Sequence, residues 1–246
     1  MKMSRYSTRF TGYAFPRWTP AVKVLIISCV VAFFVQTFDS VAGGPSFTPK
    51  FGLNPYSVTH NFYLWQLVTY IFLHDSLFHI LFNMLGLWMF GSELESLWGT
   101  RQFTKFFFIC GIGAGLLTVM LSPGSITTTI GASGAIYGIL AAYGLLFPNR
   151  IIILYIFPIP AKWFVLGLGV MAFLSSLSAA GSGVAHVAHL GGMLCGLIYL
   201  RGGRMIPGIR AGYDRWKRNR LRRKFEIYYN ERKRDDDQQK WRRWRN

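Results

Sequence analysis

No Asp, Glu, Lys or Arg occurs between Lys105 and Arg150, and none between Lys162 and Arg201. An uncharged run of about 18 residues suffices for one membrane helix, so each of these two stretches accommodates two spans. A large soluble core is the competing reading. Soluble helices, however, alternate apolar and polar faces, and these runs do not. Charged residues make up 15% of the chain, against about 25% in ordinary soluble domains. The chain is therefore read as an all-α membrane protein.

Six spans are expected, at about 21–38, 76–94, 103–121, 131–147, 162–177 and 184–200. Ser122-Pro123-Gly124-Ser125 and Gly181-Ser182-Gly183 are turn signals that divide the neutral stretches, and Pro148-Asn149-Arg150 ends the fourth span. Between the first two spans, 39–74 is aromatic and nearly uncharged but broken by Pro45, Pro49 and Asn54-Pro55. Phe62, Tyr63 and Trp65 suit the headgroup zone, so this segment is read as a loop lying in the membrane interface. Three parts result: a cytoplasmic segment 1–20, a six-helix domain 21–201 and a basic tail 202–246. With both termini inside, Lys2 to Lys23, Arg101, Lys105, Arg150, Lys162 and the tail all fall on the cytoplasmic side, leaving only Lys50 outside. No small-residue cleavage site follows the first span, which is read as uncleaved. Short ends favour the bacterial cytoplasmic membrane.

A net charge of +17 invites a nucleic-acid reading, but 17 of the 27 basic residues lie from Arg201 onward. Their juxtamembrane position explains them as contacts to anionic lipid headgroups, and no nucleic acid is expected. Asp235-Asp236-Asp237 interrupts the basic run and argues against one continuous lipid-binding helix. Cys29, Cys110 and Cys195 lie far apart in apolar runs and are read as packing residues, without metal spacing or a disulfide framework.

Polar groups inside a membrane are costly and point to function. Ser133 lies in Gly131-Ala132-Ser133-Gly134-Ala135-Ile136-Tyr137-Gly138, where glycines clear one helix side for close approach. Its place in the first turn offers unpaired N–H groups and a positive dipole, suited to an oxyanion. His189 lies in the last expected span, where Gly192 and Gly196 form a small-xxx-small pair able to pack on that glycine face. The contact would bring His189 to Ser133 as the base that a serine nucleophile needs. Neither span holds an acid, so a dyad is expected. His79 and Asn83, four apart, share one helix face and present two donors to a developing oxyanion. Taken singly, Asn83 would be interhelical glue and His79 a satisfied core histidine. His74, His79, His186 and His189 raise the question of zinc, but no His-Glu-x-x-His exists and no inward carboxylate accompanies them; neither metal nor cofactor is expected.

The combination of His79-x-x-x-Asn83, Gly131-Ala132-Ser133-Gly134 and Ala188-His189-x-Gly191 closely resembles the rhomboid intramembrane proteases, over about Trp65 to Arg201. The resemblance implies a six-helix bundle, a Ser133–His189 dyad, and an oxyanion hole from His79, Asn83 and the Ser133 N–H, lined by Gly131. It also implies Tyr137 stacked on His189, with His186 in support. Glu95 matches a structural glutamate, and Trp98-Gly99-x-Arg101 resembles the usual turn into the third span. Gln66 departs from the family, which commonly carries arginine after the tryptophan. The implied function is cleavage of transmembrane segments of other membrane proteins through an acyl-enzyme. The alternative is an inactive rhomboid-like scaffold for membrane clients, which would usually lack the serine or the histidine. A solute transporter would need internal repeats or intramembrane charge, and the chain has neither.

Overall fold

In a computed structural model of the chain, residues 16–43, 47–154, 157–177 and 183–202 are described, together with scattered helical positions between 218 and 232. Most of the segment 1–20 and most of the tail 202–246, with the roles expected of them, lie outside the described residues.

The helix α1 (Pro20–Val41) starts with Pro at its first position, where a missing N–H costs nothing. The next orphan N–H groups, of Ala21 and Val22, donate to Glu95 Oε1 and Oε2 at 2.9 and 3.0 Å. Thr100 Oγ1 donates to the same carboxylate at 2.7 Å. Glu95 thereby ties together the starts of α1 and of the helix that follows Gly99, which is what a structural glutamate would do. Ala21, Val22, Leu25 and Cys29 face inward at helical spacing, while Val24, Ile27, Val31 and Phe34 are exposed, as a lipid-facing surface requires.

The expected interfacial loop is a series of short turns: α2 (Phe47–Phe51), α3 (Pro55–His60), α4 (Gln66–Thr69) and a 3-10 turn over Tyr70–Phe72. Gln66 is fully buried, and its amide organises the segment. It accepts from Asn54 N–H at 3.0 Å and donates to the carbonyls of Pro49 and Lys50 at 3.2 and 3.3 Å. The residue that departs from the family pattern thus holds this loop together by neutral hydrogen bonds. Gln36 of α1 reaches into the same segment, accepting from His74 N–H at 3.0 Å.

Next come α5 (Leu77–Gly86), a π-helical turn (Leu87–Gly91) and α6 (Ser92–Trp98), which run on as one rod. Gly99, at φ 82°, separates α6 from α7 (Thr100–Leu121). After a loop come α8 (Ser133–Leu146), the strands β1 (Ile151–Leu154) and β2 (Phe157–Pro160), then α9 (Ala161–Ser176) and α10 (Gly183–Arg201). By length and composition, Pro20–Val41, Leu77–Trp98 and Thr100–Leu121 can each cross a membrane. At 14 residues α8 is shorter than the fourth span was expected to be, while α9 has the expected 16 and α10 has 19.

The fold is helical as expected, with one addition, the antiparallel pair β1–β2, in which Ile151 faces Pro160 and Leu154 faces Phe157. Pro158 and Pro160 are tolerated there because a two-stranded ribbon is all edge. The fourth helix begins at Ser133, not Gly131, whose φ of 119° is a conformation that glycine alone adopts readily.

The centre of the bundle is a seam of α7, α8 and α10, closed by small residues. A Cβ on Gly192 of α10 would run into the carbonyl oxygen of Gly134 on α8 and lie 2.6 Å from its carbon. One turn along, a Cβ on Gly196 would sit 3.1 Å from Gly138 Cα. On the other side of α8, a Cβ on Gly134 would lie 2.7 Å from Ala114 Cβ on α7. Backbone thus meets backbone along the seam, as the glycine spacing anticipates. At the end of the bundle away from Ser133, Arg150 pairs with Glu93 at 3.1 Å, and Tyr143 O–H donates to the same carboxylate at 2.7 Å.

Candidate active site

The close approach of α8 and α10 has a local consequence at the end where α8 begins. Ser133 is the first residue of α8, and its Oγ lies 2.7 Å from His189 Nε2 on α10. Both are partly buried. Tyr137, one turn beyond Ser133, lies parallel to the His189 ring with centroids 4.4 Å apart. His186 presents an edge to that ring at 5.9 Å. The remaining nitrogen of His189, Nδ1, is buried without a hydrogen-bond partner among the described residues. Among the described residues no carboxylate orients this imidazole; packing against Tyr137 and His186 does.

The backbone before Ser133 is pinned to the interfacial segment. Leu53 and Thr129 exchange N–H···O bonds of 2.9 and 2.8 Å, and Gly131 N–H donates to Tyr70 O at 2.9 Å. Tyr70 is itself fixed, its hydroxyl donating to Gly111 O at 2.6 Å. The Gly131 N–H is therefore occupied, and what this residue offers the site is space. A Cβ there would lie 2.7 Å from His79 Nε2 and 3.8 Å from Ser133 Oγ. The gap that glycine leaves is bounded by the serine on one side and the His79 ring on the other.

His79 and Asn83 occupy the face of α5 across from this gap. Asn83 is buried and donates from Nδ2 to His79 O at 2.8 Å, one turn back along its own helix. That bond uses one of its two N–H groups and leaves the second for a ligand. His79 meets His74 edge-on at 5.0 Å, and its Nδ1 lies 2.7 Å from Asp75 Oδ1. Asp75 was not singled out from the sequence, although its i,i+4 spacing to His79 is a recognisable signal. Hydrogen bonds from His79 and Ser76 hold the Asp75 carboxyl below the usual carboxylate range, against the opposing effect of partial burial. His74 is pressed the other way: burial, then the neighbouring His79, lower it to about 4. The histidines considered for zinc stand in two pairs, and among the described residues no group of three His, Cys, Asp or Glu side chains is placed to hold a metal ion.

A helical, multi-pass membrane protein with a serine and a histidine juxtaposed in its core is the class these features define. The chain belongs to the rhomboid family: the Rhomboid domain model matches residues 61–204. It is 32% identical over 139 residues to "Rhomboid protein 1, mitochondrial" of Saccharomyces cerevisiae, covering 52% of this chain and 38% of that protein. It is 25% identical over 197 residues to "Rhomboid-like protease 3" of Toxoplasma gondii, covering 77% of this chain and 70% of that protein. Against "Rhomboid protease GluP" of Bacillus subtilis it is 27% identical over 188 residues, 74% of this chain and 34% of that protein. The chain thus spans little more than a third of the yeast and Bacillus relatives.

Proposed function

We propose that the protein is an intramembrane serine endopeptidase that cuts transmembrane segments of other membrane proteins with Ser133 and His189. The observation that carries this reading is the 2.7 Å approach of His189 Nε2 to Ser133 Oγ. Family membership and the two relatives named as proteases support it.

In the resting pair the serine O–H donates to Nε2. As Oγ bonds to the substrate carbonyl carbon, its proton passes to Nε2, and negative charge develops on the carbonyl oxygen. The gap at Gly131 receives that oxygen, facing His79, the free N–H of Asn83 and the Ser133 N–H at the start of α8. The imidazolium lies flat on Tyr137, whose π-face favours a cation. Nε2–H then protonates the leaving amine as the C–N bond breaks, giving an acyl-enzyme that water hydrolyses.

The distribution of Lys and Arg supports six spans with both termini cytoplasmic, the site opening to the opposite face and the basic tail resting on anionic headgroups. Matches to a mitochondrial and to a bacterial rhomboid alike support membership of the family rather than one compartment. The test is cleavage of a model transmembrane substrate by purified protein. Ser133→Ala and His189→Ala each abolish turnover while the protein stays folded, and the double variant is no worse than either single one. Residual turnover in Ser133→Ala ends the reading of Ser133 as nucleophile, and a wild type that binds the substrate without cutting it leaves a client-binding scaffold as the reading.

A further inference from the structure

The contact between Asp75 and His79 bears on how the oxyanion side of the site works, and its meaning rests on the protease reading of Ser133 and His189. A carboxylate only accepts hydrogen bonds, so at 2.7 Å from Asp75 Oδ1 the Nδ1 of His79 must carry a hydrogen. With Nδ1–H committed in this way, Nε2 of a neutral ring holds a lone pair. That lone pair would point into the gap beside Gly131, where a donor is needed. His79 can donate from Nε2 only when the ring carries a second proton and a positive charge. The other groups around the ring do not balance that charge: His74 edge-on, Asn83 one turn along α5, Ser133 on α8 and His189 on α10 are all neutral or basic. Asp75 is the acid in contact with it.

We propose that Asp75 is a positioning residue for peptide-bond hydrolysis: it fixes the tautomer and aim of His79 and balances the charge of the imidazolium that donates from Nε2 to the oxyanion. Asp75 sits just ahead of α5, whose N-cap Ser76 accepts from His79 N–H at 3.3 Å. The first turn of α5 therefore holds backbone and ring of His79 at once. The Asp75 side chain is 67% exposed, so water screens the pair and the effect is modest.

The experiment uses full-length protein in bicelles and a model transmembrane substrate, with kcat and KM measured separately. Asp75→Asn and Asp75→Ala each lower kcat roughly fivefold, the size of an exposed ion pair, with KM within twofold. Asp75→Glu recovers at least half of the lost kcat. In a His79→Ala background, Asp75→Asn has no further effect, because the two residues act as one unit. A residue that merely stabilised the helix start would lower kcat with or without His79. Full kcat in Asp75→Asn beside an active wild type, or an equal loss in the His79→Ala background, overturns the proposal. A readout free of turnover separates this inference from the protease reading. The ring-nitrogen NMR shifts of 15N-histidine-labelled protein, assigned against His79→Ala, show Nδ1 protonated in wild type. In Asp75→Ala that N–H loses its acceptor, and the Nδ1 shift moves away from the value of a hydrogen-bonded N–H. An unprotonated Nδ1 in wild type overturns the role of Asp75 even where cleavage is robust, and an inactive wild type with Nδ1 protonated overturns the hydrolytic reading alone.

Discussion

The two walls of the Ser133 site are held by different forces. On the α8–α10 side, glycine backbones touch, and the Ser133–His189 pair inherits its distance from that contact. On the α5 side, position is set by polar groups: Gln66 in the interfacial segment, Gln36 reaching into it from α1, and the His74, Asp75, His79 cluster. Close packing is specific but intolerant of added volume, since the interior has nowhere to put it. Hydrogen-bonded walls tolerate volume but answer to protonation. The helix α9 belongs to neither wall. Its buried residues are Ala161 and Ala172, and an apolar cleft of about 450 Å3 separates it from parts of α8 and α10.

The sharpest way to break this comparison is to add volume to the seam. Gly192→Val sets a side chain against the carbonyl of Gly134, and neither backbone can turn away. A loss of roughly 3 kcal/mol or more is expected, the upper end of overpacking costs, read as a collapsed thermal transition. A variant with unchanged melting temperature would mean that the helices are not in contact there.

The polar wall responds to pH. His74 titrates at about 4 in the folded protein and near 6.5 when unfolded, so below pH 6.5 the unfolded chain binds the extra proton first. Its contribution is complete above about pH 6.5 and is lost as pH falls towards 4. The total is of order 3 kcal/mol at most. Unfolding followed between pH 7 and 4 shows this slope in wild type and a flatter one in His74→Phe.

A smaller effect is expected at Gln66, where Ala removes the acceptor of Asn54 N–H and the side-chain donor to the Pro49 carbonyl, while the Lys50 carbonyl keeps the Trp65 Nε1–H. The cost is about 1–3 kcal/mol, detectable as faster hydrogen exchange across 49–54. The smallest effect is in α9. A Cβ on Gly167 meets nothing within 4 Å, so Gly167→Ala changes stability by less than about 1 kcal/mol, in the stabilising direction. A large loss there would show that α9 is packed as tightly as the seam.

Legibility in the sequence divides along the same line. The seam was readable because only small residues allow helices to touch, and glycines at 134, 138, 192 and 196 leave a periodic mark. The polar wall was half readable. His79 and Asn83 stood out as polar groups in an apolar run, but the work of Gln66 depends on where Asn54, Pro49 and Lys50 fold back, which no local spacing records. Asp75 escaped notice because it sits at the edge of the run, where a charge needs no explanation. The ribbon β1–β2 was hidden by prolines that normally exclude strands, and the π turn over Leu87–Gly91 has no signature in its own residues.

The central claim is that Ser133 is a nucleophile made reactive by His189. A fluorophosphonate probe, with the adduct located by mass spectrometry in detergent-solubilised full-length protein, tests it most directly. One adduct is expected, on Ser133 Oγ, absent in Ser133→Ala and formed at least a hundredfold more slowly in folded His189→Ala. An adduct on another residue, or a labelling rate at Ser133 unchanged by His189→Ala, would contradict it.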